Sequence, residues 1–422
     1  MSQAAITLII LVVAIVLFIS DTLPMGLIAF CVPLALYFTG IITIDDIFSS
    51  VINENVLLIL GMCVIGAAFF KTGLAYSTSQ LLLKRTKSQR GLMVVIFLLS
   101  GIMSGFVSNS GTVAILIPIV MGIAGGSGIK PIKLLIPLVS GATIGADISI
   151  IGSPGNLIAK NTIEEFSHGS MSVGFFEYAK LGIPMLAAVA ILFYFLGDKL
   201  IANREAGRTM QASQDYSSIP RWKRTLTLVV MILTIVGMVA KDYLSFLPPI
   251  HVTAYCGAVI LVLFRVLTEK EAFQSFEIRT VFMLAFMMPL GNAMNETGAG
   301  KMIADAVISL TGHSSPMILM ATIWLLTWVL TQVMSNTAAC TLLCPIGWSI
   351  AEALGADPRA VVIAVFIASS IAVCTSMAIP ANSMIIDPGN VQFKDFIKPG
   401  LAVSLVCFVI SMILLPIFYP FY

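Results

Sequence analysis

The chain has 422 residues, of which 58% are hydrophobic and only 10% are charged, with a formal net charge of +2. Soluble domains carry about 25% charged residues, so a chain with so few charges could not cover a surface exposed to water. The mean hydropathy of +1.02 agrees. The composition therefore predicts an all-α, polytopic membrane protein that contacts lipid and has no nucleic-acid partner.

Apolar runs predict the spans in chain order. In the first half, they cover residues 4–20, 23–41, 55–79, 92–107, 111–126, 131–150, 157–159 with its continuation, and 178–197. A basic, polar loop at 198–224 separates this half, 1–197, from the second half, 225–422. There the runs cover 225–240, 250–267, 279–297, 316–334, 338–354, 360–378, 383–390 and 398–419. The first run has no basic leader and no cleavage motif, so we expect a span rather than a signal peptide.

Two polar triplets interrupt these apolar runs. They are Ser108-Asn109-Ser110 and Ser335-Asn336-Thr337, and their asparagines at 109 and 336 are 227 residues apart. Each triplet is followed, at the same distance, by a proline that ends an apolar run. A polar break that recurs in both halves is typical of transporters that build a central site from two repeats. We interpret 108–110 and 335–337 as the tips of two re-entrant hairpins.

Two further landmarks repeat in the same order. Gly152-Ser153-Pro154-Gly155-Asn156 corresponds to Ala378-Ile379-Pro380-Ala381-Asn382 at an offset of 226 residues. Lys71-Thr72-Gly73 corresponds to Glu296-Thr297-Gly298 at an offset of 225. Each half is therefore predicted to contain five spans, a hairpin tip and a broken helix, with the breaks at 152–156 and 378–382.

The distribution of basic residues predicts the topology. Five crossings per half make the two repeats inverted. With the 198–224 loop in the cytoplasm, 17 Lys and Arg residues lie on that side and 5 lie outside. This asymmetry follows the positive-inside rule and puts both termini outside.

The breaks have a plausible chemistry. Helix starts at the tips expose N–H groups that attract anions, and the helix ends before them expose carbonyl groups that suit a hard cation such as sodium. The bland alternative is a kink rich in Ser, Thr and Asn without a ligand. Two triplets in register, each with its own Pro-Xaa-Asn break, favour a binding site.

The paired tips and breaks resemble the divalent anion/sodium symporter (DASS) family of the ion transporter superfamily. The resemblance covers nearly the whole chain. It implies a homodimer in which a scaffold domain holds the interface and a transport domain moves like an elevator. It also implies cotransport of sodium ions with a small anionic substrate, a C4-dicarboxylate such as succinate, malate or fumarate, across the cytoplasmic (inner) membrane. Some members transport citrate or sulfate, and some exchange dicarboxylates.

The resemblance also assigns site residues. It implies that the anion is bound by Asn109, Ser110, Asn336, Thr337 and the backbone around Pro154 and Pro380. It implies a first sodium site at Ser104, Ser108, Asn109 and Gly152, and a second at Thr331, Met334, Asn336 and Ala378. The chain departs from the family pattern at Ser110 and at Ile379 before the second proline. It is also expected to lack the family's extra N-terminal helix, which gives ten spans instead of eleven.

Asp147 is an acid inside an apolar helix, and its repeat counterpart is Val373. Intramembrane acids are usually functional, so Asp147 is a candidate for coupling to a cation or a proton. The structural alternative is a carboxylate paired with the hydroxyl of Thr143 or Ser149.

Other functions remain to be weighed. The chain could transport sulfate, a tricarboxylate or arsenite, exchange dicarboxylates, or use protons. An intramembrane enzyme would need a buried nucleophile–base or metal pair, and none is evident; the histidines, His168, His251 and His313, are far apart. A receptor or scaffold would leave the duplicated tips unexplained.

Overall fold

The structure is a computed structural model that describes residues 2–20, 23–74, 88–204, 219–241, 243–244, 246–276, 278–311, 315–376 and 378–422. Every regular element in these ranges is a helix, which confirms the predicted all-α fold. Two predicted segments lie partly outside the described residues: the end of the third span, 75–79, and the middle of the linker, 205–218.

The helices follow the predicted order. Those of the first half are α1 Gln3–Ser20, α2 Met25–Phe38, α3 Ile44–Val51, α4 Glu54–Lys71, α5 Gln89–Ser104, α6 Asn109–Ser127, α7 Ile132–Gly145, α8 Pro154–Phe166 and α9 Ala179–Leu200. A 3-10 turn, Ala146–Ile148, extends α7. Those of the second half are α10 Arg221–Lys241, α11 Ile250–Leu263, α12 Glu269–Gln274, α13 Ile278–Glu296, α14 Ala299–Thr311, α15 Pro316–Thr331, α16 Asn336–Ala353, α17 Pro358–Ser370, α18 Pro380–Met384, α19 Ile386–Gly389 and α20 Phe393–Phe418.

The two short helices α3 and α12 begin with the same capping box. The Thr43 hydroxyl accepts from the Asp46 N–H, and the Asp46 carboxylate accepts from the Thr43 N–H at 2.7 Å. Thr268 and Glu271 make the same pair of bonds, again with 2.7 Å for the second. Each box satisfies N–H groups that a helix start leaves free. The structure therefore adds two repeat-related helices that the apolar pattern did not predict.

Two helices of the first half pack against two helices of the second half. Helix α4 packs on α11, and α2 packs on α13. At the first contact a Cβ atom on Gly61 would lie 2.9 Å from the Ala254 carbonyl carbon, so the two backbones touch. At the second, the rings of Phe30 and Phe286 stack with centroids 4.1 Å apart. The halves thus interlock through small residues at one contact and aromatic residues at the other.

The helices around the tips form a second packed group. Helix α5 packs on α7, and α15 packs on α17. A Cβ atom on Gly145 would lie 2.0 Å from the Gly101 carbonyl oxygen. Glycines let membrane helices approach this closely, and the approach fixes α7, with the first break at its end, against the helix that leads to the first tip.

The last helices of the two halves, α9 and α20, lie side by side and run antiparallel. The Tyr419 hydroxyl donates to Glu177 at 2.6 Å, which joins the end of α20 to the residues just before α9. The Lys398 ammonium donates to the Lys199 carbonyl at 2.9 Å, which joins the start of α20 to the end of α9. Corresponding helices of inverted repeats run in opposite directions, and this pair has that orientation.

Five described stretches are long and apolar enough to cross a membrane: Ile44–Lys71, Asn109–Ser127, Ala179–Leu200, Arg221–Lys241 and Phe393–Phe418. Helix α6 is among them, so its length does not distinguish a re-entrant helix from one that crosses the membrane. The re-entrant hairpins and the two domain boundaries are inferred from the charge distribution and the repeat, and they stay predictions.

Candidate functional site

Each predicted tip is the beginning of a helix. The Ser108 hydroxyl accepts from the Gly111 N–H at 3.3 Å, and α6 begins at Asn109. The Ser335 hydroxyl accepts from the Ala338 N–H at 3.1 Å, and α16 begins at Asn336. The other N–H groups of a first turn have no intrahelical partner, and their partial positive charge attracts anions. The predicted caps are confirmed.

Each tip asparagine lies against a hydroxyl from the preceding helix. Ser104 Oγ is 2.7 Å from Asn109 Oδ1. Thr331 Oγ1 is 2.8 Å from Asn336 Oδ1 and 2.7 Å from the Ser369 carbonyl oxygen. The structure therefore brings together two members of each predicted sodium site. Oxygen-only clusters of this kind suit a hard cation.

The tips also carry donors with no protein partner. The Nδ2 groups of Asn109 and Asn336 make no hydrogen bond within the described part of the chain, and neither do the hydroxyls of Ser110 and Thr337. All four side chains are half-buried. These groups, at two helix starts, can donate to the oxygens of a bound anion.

The helix breaks lie where the Pro-Xaa-Asn pattern places them. The first separates Ile148 from Pro154, and the second separates Ser370 from Pro380. Ser153 caps α8 by accepting from the Gly155 N–H at 3.3 Å. Ile379, at the equivalent position, has no side-chain acceptor and makes no cap. The second break therefore lacks the hydroxyl that the first break has.

Hydroxyls at the breaks occupy carbonyls near the tips, which corrects one expectation. The Ser149 hydroxyl donates to the Gly105 carbonyl, and the Thr375 hydroxyl donates to the Gln332 carbonyl at 3.0 Å. The sequence predicts that carbonyls at these helix ends are unpaired and available to a cation. The Gly105 and Gln332 carbonyls are instead used to tie each break to its tip.

The predicted backbone ligands differ in their surroundings. Gly152 packs so closely that a Cβ atom there would lie 2.2 Å from the Ala146 carbonyl oxygen. The Ala378 N–H donates to the Thr375 hydroxyl at 3.2 Å. Met334 is buried immediately before the second tip. Each of the three thus lies at its tip or break, as the resemblance implies.

A cavity of about 280 Å³ lies at the first tip and the first break. Ser108 and Gly111 line it on one side, and Gly152, Ser153 and Pro154 line it on another. Phe70 and other residues of α4 form the facing wall, and none of the described lining residues is charged. Of the predicted anion-binding residues, Pro154 lines this cavity, whereas Asn109, Ser110, Asn336, Thr337 and Pro380 do not.

The helices that follow the second tip and the second break contact the helices of the first half. Helix α16, which starts at the second tip, packs on α8, and α18, which starts at the second break, packs on α6. The Cys340 thiol, one turn into α16, lies 3.4 Å from the Gly155 carbonyl oxygen. The fold thus packs each tip helix against the break helix of the opposite half.

Asp147 is fully buried in the 3-10 turn, close to where the two halves meet. Neither of its carboxyl oxygens makes a hydrogen bond in the described part of the chain. The predicted structural partners bond elsewhere, because Thr143 donates to the Val139 carbonyl and Ser149 donates to the Gly105 carbonyl. Ser370 faces the carboxylate but donates to the Phe366 carbonyl. The structural alternative proposed from the sequence is therefore wrong in its partners.

The sequence pattern locates Asn156 and Asn382 in the breaks, but it does not predict which groups the side chains at the breaks bind. Ser149 and Thr375 tie breaks to tips, and Asn156 and Asn382 bind carbonyls across the breaks. All four stand at the 226-residue offset that identified the breaks. Polar pairs at this offset were the signal that could have found them.

Comparison with known proteins places these features in context. A family model described as citrate transporter (CitMHS) matches residues 15–248 and 244–421. The chain is similar to the uncharacterized transporter YfbS of Escherichia coli, with 20% identity over 97% of this chain and 98% of that protein. It is also similar to the uncharacterized transporter MJ0672 of Methanocaldococcus jannaschii, with 24% identity over 94% and 90%.

One further relative and two solved structures are also similar to this chain. A probable sodium/sulfate cotransporter of Chlamydomonas reinhardtii is 25% identical over 40% of this chain and 19% of that protein. The fold is similar to that of the Alcanivorax borkumensis YdaH transporter, with a TM-score of 0.64 and 16% identity over 86% of this chain and 84% of that one. Neisseria gonorrhoeae MtrF gives a TM-score of 0.63 with 15% identity over 92% and 84%. These two structures establish the fold alone.

Proposed function

Because this chain belongs to the citrate transporter family, we propose that it is a secondary active transporter that couples sodium to the uptake of C4-dicarboxylates such as succinate, malate or fumarate. The observation that carries the proposal is a set of donors at two helix starts that have no hydrogen-bond partner among the described residues. Asn109 and Ser110 supply them at one tip, and Asn336 and Thr337 at the other. Two such tips match the two carboxylates of a dicarboxylate.

The uncharged cavity favours coupling to a cation. A dicarboxylate brings two negative charges, yet none of the lining residues that the structure describes is charged. Burying unpaired charge is costly, and helix starts supply only partial positive charge. Sodium bound at the oxygen pairs Ser104–Asn109 and Thr331–Asn336 would supply the missing positive charge beside each tip. Anion and cation would then bind more tightly together than apart.

The size of the cavity favours a small acid. Its volume of about 280 Å³ is at the lower end for small-molecule sites. In the proposed cycle, the tip helices and breaks form a transport domain that moves as an elevator against a scaffold of α1–α4 and α10–α14. The protein would work as a homodimer in the cytoplasmic membrane, with both termini outside.

A second candidate is transport of another anion. The family description names citrate, and one relative is named as a sodium/sulfate cotransporter. Ile379 cannot supply the hydroxyl that Ser153 supplies at the first break, which favours a substrate with fewer contacts there, such as sulfate. This alternative also includes transport of arsenite and exchange of dicarboxylates. Its coupling ion could be a proton bound at Asp147.

Uptake of radiolabelled succinate into proteoliposomes tests the proposal. We expect uptake under an inward sodium gradient and none under a matched potassium gradient. Unlabelled malate and fumarate should compete, and citrate, sulfate and arsenite rank the alternatives. Uptake that needs no sodium would contradict the coupling. Uptake of citrate or sulfate, but not of succinate, would replace the substrate.

A further inference from the structure

Two buried asparagines, one in each half, bridge the helix breaks with the same geometry. Asn156 Nδ2 donates to the Ala146 carbonyl at 2.8 Å and also to the Ser149 carbonyl. Asn382 Nδ2 donates to the Ala372 carbonyl at 2.9 Å and to the Thr375 carbonyl at 2.8 Å. Each acceptor lies 226 residues from its counterpart. Both asparagines are the third residue of the helix after the break, and both are fully buried.

The bridged carbonyls lie at the two breaks, where the chain leaves the regular helices α7 and α17. The last carbonyls of a helix have no intrahelical donor, and at membrane depth such groups must be satisfied within the protein. Each amide satisfies two of them with one nitrogen. It thereby holds the unwound segment at a fixed distance from the helix that follows.

The orientation of each amide is determined by its contacts. If the group were turned over, Oδ1 would face two carbonyl oxygens, and none of the three can donate. The observed orientation leaves Oδ1 of Asn156 and of Asn382 buried without a donor in the described part of the chain. A buried acceptor without a donor is unfavourable. The amide nitrogen therefore makes the stabilising contacts of each side chain. Its two hydrogen bonds offset the unfavourable burial of Oδ1 without a donor.

We infer that Asn156 and Asn382 are positioning residues that shape the two cation sites by fixing which backbone groups of each break stay free. We call each asparagine with its two bridged carbonyls a clasp. Each clasp spans the segment that contains a proposed sodium ligand, Gly152 in the first half and Ala378 in the second. By occupying the carbonyls at 146 and 149, and at 372 and 375, the amides leave other carbonyls of the breaks, including those of the proposed ligands Gly152 and Ala378, to face a cation. This inference rests on the proposed sodium coupling and deepens it.

The test replaces the donor end of each amide. Asn156→Asp and Asn382→Asp keep the shape but set an oxygen against the two carbonyls. Asn156→Ser and Asn382→Ser are milder variants, because a serine hydroxyl is too short to span both carbonyls. Asn161→Asp is the matched control, since Asn161 is buried in helix α8 as Asn156 is. Within the described residues, the hydrogen-bond partner of its amide is the Met288 sulfur, at 3.9 Å.

Two titrations are made on each purified variant. The first measures the sodium concentration that gives half of the maximal rise in melting temperature, with potassium as the reference ion. The second measures half-saturating sodium and half-saturating succinate in proteoliposome uptake. We expect each clasp variant to raise half-saturating sodium at least tenfold, while half-saturating succinate at saturating sodium changes less than threefold. The control should match the unchanged protein.

Sodium constants within twofold of the unchanged protein in both serine variants would overturn the inference, as would a loss confined to succinate. If the unchanged protein takes up no succinate but sodium still stabilises it, the proposed substrate fails and the melting titration still decides the role of the asparagines. A protein that sodium does not stabilise at all would contradict the positioning role itself.

Discussion

The Lys71 ammonium lies 2.5 Å from both carboxylate oxygens of Glu271, and this ion pair joins the end of α4 to α12. It connects two helices of opposite halves beside the cavity, because Phe70 and Ser275, close by in sequence, both line it. The pair is solvent-exposed, with 42% of the lysine side chain and 37% of the glutamate side chain accessible.

The first prediction concerns the pH dependence of this ion pair. The hydrogen bond from Lys71, followed by that from the Thr268 N–H, lowers the pKa of Glu271 from 4.5 to about 2. Folding therefore favours the ionised carboxylate, so its contribution is complete above pH 4.5 and is lost as the pH falls toward 2. Glu271→Gln should lower the free energy of unfolding at pH 7 by less than about 1 kcal/mol, because the pair is exposed.

Denaturation of both proteins at several pH values measures this effect. The difference between Glu271→Gln and the unchanged protein should shrink as the pH falls below 4.5. Glu269→Gln is the control, since Glu269 lies in the same helix and forms no ion pair among the described residues. A difference that stays constant down to pH 2 would contradict the lowered pKa.

The second prediction concerns the tip asparagines. Asn109→Ala and Asn336→Ala should each abolish sodium-dependent uptake, because each removes an amide donor and the oxygen that pairs with Ser104 or Thr331. Both side chains are only half-buried, so folding should survive. The measurements are uptake and the gel-filtration profile. Normal uptake by either variant would remove its asparagine from the site.

The third prediction separates anion binding from helix packing. Thr337→Val removes a hydroxyl that has no protein partner in the described residues, and Ser110→Ala does the same at the first tip. Half-saturating succinate should rise roughly tenfold to a hundredfold, because a hydrogen bond to a charged group contributes about 1.5–3 kcal/mol. The control is Thr341→Val, one turn further along α16, whose hydroxyl donates to the Thr337 carbonyl at 2.8 Å. Equal effects at positions 337 and 341 would point to helix packing instead.

The fourth prediction concerns Asp147. Asp147→Asn keeps the shape and removes the charge of a fully buried carboxyl group without a hydrogen bond. We expect the sodium or pH dependence of uptake to change, with the exposed variant Asp387→Asn as the control. An identical sodium response and an identical pH profile would give Asp147 a structural role only.

Much of the site could be predicted because its signals are local. A polar triplet in an apolar run marks a helix start at any depth, and Ser108 and Ser335 cap the helices that follow them. Pro154 is the first residue of α8. The capping boxes at Thr43 and Thr268 were equally local, yet the apolar pattern concealed the short helices that follow them.

The sequence by itself determined the all-helical class, the two related halves, and the positions of both tips and both breaks, since polar groups in an apolar chain leave few places for helix ends. Only the tertiary structure decided how the pieces meet. It packs α16 on α8 and α18 on α6, places a cavity at the first tip, and directs the Ser149 and Thr375 hydroxyls to carbonyls beside the tips. These arrangements depend on close approaches such as Gly145 to Gly101, which are set by the shapes of whole helices and not by any local pattern.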